Sequence, residues 1–146
     1  MGESGVGKSS LLSVYTKGEI SNNPMPTIGV EFHCKVFELK DGSKVKFQLY
    51  DTAGQEKYRS IVANYLRKAL GCLLVYDITK RSTFEQCKQF MTDIRQIAEP
   101  DCVILLVGNK NDLQDQSQVE MDEAKRFATE NKMYFIETSA LTKYQV

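Results

Sequence analysis

Gly2-Glu3-Ser4-Gly5-Val6-Gly7-Lys8-Ser9 fits the pattern G-x-x-x-x-G-K-[ST] without a gap. Glycines at this spacing let backbone N–H groups approach an anion closely, and the positive end of a following helix adds to that field. Leu11, Leu12 and Val14 predict such a helix over Lys8 to Lys17. A loop of Ser4, Gly5, Val6, Gly7, Lys8, Ser9 and Ser10 that opens a helix is suited to cradle the phosphates of a nucleotide. The Lys8 ammonium would reach the β- and γ-phosphates, and the Ser9 hydroxyl would bind Mg²⁺. The competing reading is a glycine-rich turn, but a chance match of eight residues that also opens a predicted helix is rare.

Outward from this loop, apolar strand-like runs alternate with helical patterns, which predicts an α/β fold with a parallel sheet. Glu31 to Leu39 alternates, meets the hairpin signal Asp41-Gly42, and returns as Lys44 to Tyr50 with Val45, Phe47 and Leu49 on one face. These two strands are expected to pair antiparallel. Gly71 to Ile78 and Val103 to Val107 are near-continuous apolar runs, as for strands covered by helices on both faces. Between them, Phe84, Phe90, Ile94 and Ile97 have helical spacing over Ser82 to Ala98, and Ser82 with Glu85 predicts a capping box. Met121 to Asn131 reads as another helix and Met133 to Glu137 as a short last strand.

The 146 residues make one domain by length, and 42% hydrophobic residues suffice for a core. Lys+Arg and Asp+Glu both number 19, which argues against a nucleic-acid binder and against a polybasic membrane patch within these residues. Cys34, Cys72, Cys87 and Cys102 form no CxxC pair, and His33 is the sole histidine, so structural zinc is not expected. Buried reduced thiols of a cytosolic protein are the simplest reading. No signal peptide or transmembrane run is evident, and no cysteine lies near Val146 for prenylation.

Three further motifs separate a GTPase from an ATPase. Asp51-Thr52-Ala53-Gly54-Gln55-Glu56 follows a strand, as a metal-associated carboxylate should. Asn109-Lys110-Asn111-Asp112 follows an apolar strand, and Glu137-Thr138-Ser139-Ala140 follows the last one. With the phosphate loop, these motifs resemble the small Ras-like GTPases in the correct order along essentially the whole chain. The two oxygens of Asp112 can accept from the N1–H and N2–H₂ edge of guanine, whereas adenine offers no matching donor pair. Taken alone, Asn109 to Asp112 could also be a polar turn after a strand.

The resemblance implies roles for individual residues. Asn109 braces its loop against the phosphate loop, the Lys110 stem lies along the base, and the Ala140 N–H meets guanine O6, with Ser139 and Leu141 beside it. Thr27, nineteen residues after Lys8, falls on the switch threonine that ligates Mg²⁺ and senses the γ-phosphate. Asp51 helps hold Mg²⁺ through water, the Gly54 N–H contacts the γ-phosphate, and Gln55 orients the attacking water. The implied fold is a three-layer sandwich of the P-loop NTPase class, with a mostly parallel sheet and one antiparallel edge hairpin.

Ile28-Gly29-Val30-Glu31-Phe32 and Leu74-Val75-Tyr76-Asp77-Ile78-Thr79 look like the Rab branch of that family. The branch implies vesicle traffic on the cytosolic face of endomembranes, with exchange factors, GTPase-activating proteins and effectors as partners. Phe32, Tyr50 and Tyr65 fall on its three effector-contacting aromatic positions; the alternative is that these rings fill the interswitch core. Tyr50 stands in place of the usual tryptophan, Lys68 in place of a glycine, and Leu141 in place of the common lysine. Ile20 falls where the family often has an aromatic edge over the base, and Ser4 where Ras itself has glycine.

Relative to the family, the sequence lacks the first β-strand, the final helix and the prenylated tail through which membrane contact is made. Residues 1–146 are thus expected to form a partial G domain whose Gly2 to Gly7 segment frays as a free tail. On that expectation it binds GTP weakly in isolation, and the alternative to a cycling switch is a non-cycling fragment that only binds partners.

Overall fold

The computed structural model describes residues 1–20, 26–54 and 59–146. Among these described residues, five strands and four α-helices follow one another as α1 (Lys8–Lys17), β1 (Val30–Glu38), β2 (Lys44–Thr52), α2 (Arg59–Leu66), β3 (Gly71–Asp77), α3 (Arg81–Ile97), β4 (Val103–Asn109), α4 (Met121–Glu130) and β5 (Tyr134–Thr138). A 3₁₀ helix, Asn111–Gln116, follows β4.

Strands β3, β4 and β5 form a parallel sheet in that order, and β1 and β2 pair antiparallel as a separate two-stranded sheet. The parallel sheet and the antiparallel hairpin are both as expected; β2 and β3 do not pair with each other. The edge of β3 is instead met by Met1, whose carbonyl accepts from Val75 N–H (2.8 Å) and whose amino group donates to Leu73 O (2.5 Å). These bonds, with the full burial of Val6, hold the segment that was expected to fray.

The period-2 pattern of β3 and β4 supplies both faces of the parallel sheet. Leu74, Tyr76, Ile104 and Leu106 face α3 and α4, where Phe84, Cys87, Ile94, Ala124 and Ala128 close the larger cluster. Val75 and Val107 face the other way, onto Val6, Leu11, Val14 and Ala140. The result is a three-layer arrangement, with α1 on one side and α3 and α4 on the other. In α3, Phe84, Cys87 and Ile94 recur on one helical stripe and are fully buried. Burial of a ring or a branched side chain of this kind stabilises by roughly 1.5–3 kcal/mol.

The capping box predicted from Ser82 and Glu85 does not form. The helix begins at Arg81, so Ser82 is already inside it. Glu85 is drawn to Arg81 (2.9 Å) and Lys88 (2.6 Å), and the Arg81 N–H donates to Gln118 Oε1 instead (3.1 Å). Helix α2 was not anticipated, although Val62 and Leu66 are four residues apart and both buried. All four thiols are free, as expected; Cys87 and Cys102 are buried, Cys72 is partly buried and Cys34 is exposed.

Candidate functional site

The loop ahead of α1 turns into the helix at Gly7, whose φ of 96° lies in the left-handed region that favours glycine. A Cβ at Gly7 would also stand 2.3 Å from Asn109 Nδ2, so the position requires glycine twice over. Ser4 and Gly5 are exposed on the outside of the loop, whereas Val6 anchors it in the core. The Lys8 ammonium reaches back across the loop and donates to the Gly2 and Glu3 carbonyls at 3.0 and 2.9 Å. Burial pushes Lys8 below its ordinary value, and the Asp51 and Glu3 carboxylates oppose that shift. A partly desolvated ammonium restrained by two carbonyls is well placed to meet an anion. Ser10 follows in the first turn of α1, half-buried.

Three oxygen-bearing side chains from three chain segments meet beside Lys8. Ser9 Oγ and Thr27 Oγ1 are hydrogen-bonded at 2.8 Å, and Thr27 Oγ1 donates to Asp51 Oδ2 at 3.4 Å. Asp51 is buried near the end of β2. Two hydroxyls and one carboxylate form a hard-oxygen set, the donor type that Mg²⁺ takes alongside water and phosphate oxygens. Gly54 lies against the phosphate loop so closely that a Cβ would stand 2.4 Å from Ser4 N and 2.5 Å from the Glu3 carbonyl carbon. Gln55, the expected water-orienting residue, lies outside the described residues.

The parallel register sets Asp77 opposite Asn109, and Asn109 opposite Thr138, at the C-terminal ends of β3, β4 and β5. Asn109 is almost wholly buried. Its Nδ2 donates to Val6 O at 2.8 Å, and its Oδ1 accepts from Thr138 Oγ1 at 3.2 Å and from the Ala140 N–H at 3.4 Å. One amide thus joins the phosphate loop to the two turns after β4 and β5. Ser139, fully buried, donates its hydroxyl to Asp112 Oδ1 and accepts from the Thr142 N–H at 3.1 Å. Leu141, next but one after Ser139, is 70% exposed.

Two residues in this region carried no assigned role in the sequence reading. Asp77 forms an ion pair with Lys110 at 2.5 Å, and Glu137 accepts from Asn111 Nδ2 at 2.6 Å. A carboxylate ending an otherwise apolar strand was the available signal for Asp77.

Phe32, Tyr50 and Tyr65 converge as well. Phe32 and Tyr50 are register partners with ring centroids 5.4 Å apart, and Tyr65 on α2 lies 4.9 Å from Tyr50. Each ring remains more than two-fifths exposed, so the three form a surface stack rather than core filling.

A model of the Ras family matches residues 1–146. The chain is 49% identical over 146 residues to the Ras-related protein RIC2 of Oryza sativa subsp. japonica, covering 100% of this chain and 67% of the relative. It is 47% identical over 146 residues to the Ras-related protein RABA6a of Arabidopsis thaliana, covering 100% of this chain and 62% of that protein. It is 48% identical over 141 residues to the Ras-related protein Rab11D of Lotus japonicus, covering 97% of this chain and 64% of that protein. The chain thus spans somewhat under two thirds of the length of the last two relatives. Among the described residues, no helix is long and apolar enough to cross a membrane.

Proposed function

This chain belongs to the Ras family, and we propose that it is a GTP-binding switch that hydrolyses GTP to GDP and phosphate. The observation that carries the proposal is the Asn109 amide, which draws the phosphate loop and the turns bearing Asp112 and Ala140 into one site. The phosphates lie along Ser4 to Ser10, with Lys8 released from its two carbonyls to meet them. Asp112, held by Ser139, accepts from the guanine edge, and the Ala140 N–H faces its O6. Asn109 and Lys110 build the wall between base and phosphate, with Ser139 and Leu141 beside the base. Ser9, Thr27 and Asp51 would hold Mg²⁺, which neutralises charge on the β- and γ-phosphates. The Gly54 N–H contacts the γ-phosphate and Gln55 orients the attacking water, so the site works by positioning.

Within the family, the names of the RABA6a and Rab11D relatives support the Rab branch, and we assign the switch to vesicle traffic on the cytosolic face of endomembranes. Exchange factors, GTPase-activating proteins and effectors are its partners, and the exposed Phe32, Tyr50 and Tyr65 stack is the surface that effectors would meet.

Competition binding with Mg²⁺ tests the reading. GTP and GDP should displace a fluorescent guanine nucleotide from the purified chain, and ATP should not. Equal competition by ATP would overturn the assignment of Asp112 and with it the GTPase reading.

A further inference from the structure

We propose that Asp77 is a positioning residue for the base pocket: it holds the Lys110 ammonium, and so fixes the Lys110 stem as a wall of that pocket. The proposal rests on the guanine-nucleotide reading above. Asp77 is 1% exposed at the end of β3, directly opposite Asn109 in the parallel register. Its two oxygens are divided between two tasks. Oδ1 accepts from the Thr79 N–H (2.9 Å) and the Thr79 hydroxyl (2.6 Å), which locks the carboxylate into the turn after β3. Oδ2 is thereby aimed at Lys110 Nζ, 2.5 Å away. The backbone of Asp77 is fixed too, since its N–H donates to Thr83 Oγ1 at 3.0 Å.

Lys110 departs from ordinary backbone geometry in a way that fits this arrangement. Its φ of 71° is in the left-handed region, uncommon for a residue with a Cβ. The side chain returns to the end of β3, where its ammonium meets the buried carboxylate. A lysine stem has many rotamers, and a fixed acceptor at its tip removes most of them. The dependence is mutual, because a buried carboxylate left without its cation is costly. The stem therefore runs from the turn that bears Asn109 and Asp112 to the end of β3.

Release of a fluorescent GDP, measured on the unsubstituted chain, Asp77→Asn, Lys110→Met and the double variant, tests the proposal. Asparagine retains an oxygen for Thr79 but no charge for Lys110. Asp77→Asn should speed release about ten-fold, as expected for one coupled contact. The double variant should release GDP no faster than Lys110→Met alone, because Asp77 acts only through Lys110. Thermal unfolding of each variant without nucleotide gives the structural readout. Unchanged release in Asp77→Asn would overturn the proposal. So would effects that multiply in the double variant, because these indicate a separate structural contribution from Asp77. Failure of the unsubstituted chain to bind GDP would overturn the functional reading itself, and needs no variant to be seen.

Discussion

Asn109 Nδ2 donates to Val6 O at 2.8 Å, joining the end of β4 to a loop 103 positions earlier in the chain. The same side chain accepts from Thr138, so a single buried amide ties together three segments that come from opposite ends of the sequence. Asn109→Ala leaves Val6 O, Thr138 Oγ1 and the Ala140 N–H without this partner. A lost buried hydrogen bond of this kind costs roughly 1–3 kcal/mol. Chemical denaturation should show that loss, and GDP should dissociate faster. Unchanged stability would mean that the three orphaned groups find other partners.

Asp112→Asn should shift the preference from guanine towards xanthine nucleotides, since the amide offers a donor where xanthine carries a carbonyl. Ser139, whose hydroxyl donates to Asp112 Oδ1, can still donate to the asparagine oxygen and so can hold the new side chain in place. Competition between GDP and xanthosine diphosphate reads the change. Retained guanine preference would remove Asp112 from base recognition.

Gln55→Leu should slow hydrolysis while sparing nucleotide binding, because the cradle from Ser4 to Ser10 is untouched. Single-turnover hydrolysis of pre-bound GTP is the measurement. An unaltered rate would assign water orientation to some other group.

Gly108 has no room for a side chain. A Cβ would stand 2.8 Å from Tyr76 Oη and 3.2 Å from Ile78 Cγ2. Tyr76 is fully buried and packs against Phe84 at 5.1 Å between centroids, so it cannot swing aside. Gly108→Ala should destabilise the chain by about 1–3 kcal/mol, the usual cost of overpacking. The denaturant midpoint reports it, and an unshifted midpoint would mean that this part of the core yields.

Acid should dissolve the Asp77–Lys110 link. Burial favours the neutral carboxyl, but the hydrogen bonds from Lys110 and Thr79 outweigh it and hold Asp77 below its ordinary value of 3.8. The folded state then binds that proton less tightly than the unfolded state. Its stabilisation is therefore present above about pH 4 and lost as pH falls through the lower folded value. The stability difference between the parent chain and Asp77→Asn should be flat above that pH and shrink below it. A difference that persists at low pH would mean that the charge contributes nothing.

Where the sequence carried a strong periodic signal, it placed elements to within a residue or two. Helix α1 begins at Lys8 and ends at Lys17 as read from its apolar residues, and the Asp41-Gly42 turn set the register of β1 with β2. Short elements escaped. The eight residues of α2 carry only Val62 and Leu66 as buried anchors, too few for a period to show. Ser82 and Glu85 matched a capping pattern, but Arg81 and Lys88 compete for the glutamate, and charge pairing won. The site motifs were legible because backbone spacing dictates them. The Asp77–Lys110 and Asn111–Glu137 pairs were not, because strand register, rather than sequence proximity, brings them together.

The division into two sheets bears on how the molecule breathes. Neither buried cluster contains a residue of β1 or β2 among the described residues. The hairpin is held by its own ladder, by packing against α1, by the Tyr50–Tyr65 ring contact with α2, by the Thr27–Asp51 hydrogen bond, and by the Lys35 ammonium donating to the Tyr15 carbonyl at 2.7 Å. Amide protons in such a unit exchange through local opening, at a free energy well below that of global unfolding. The amides of β4, paired on both sides and sealed between both clusters, exchange only when the core itself comes apart. Deuterium uptake would thus separate a fast-exchanging hairpin, carrying Phe32 and Tyr50, from a slow central strand, carrying Asn109.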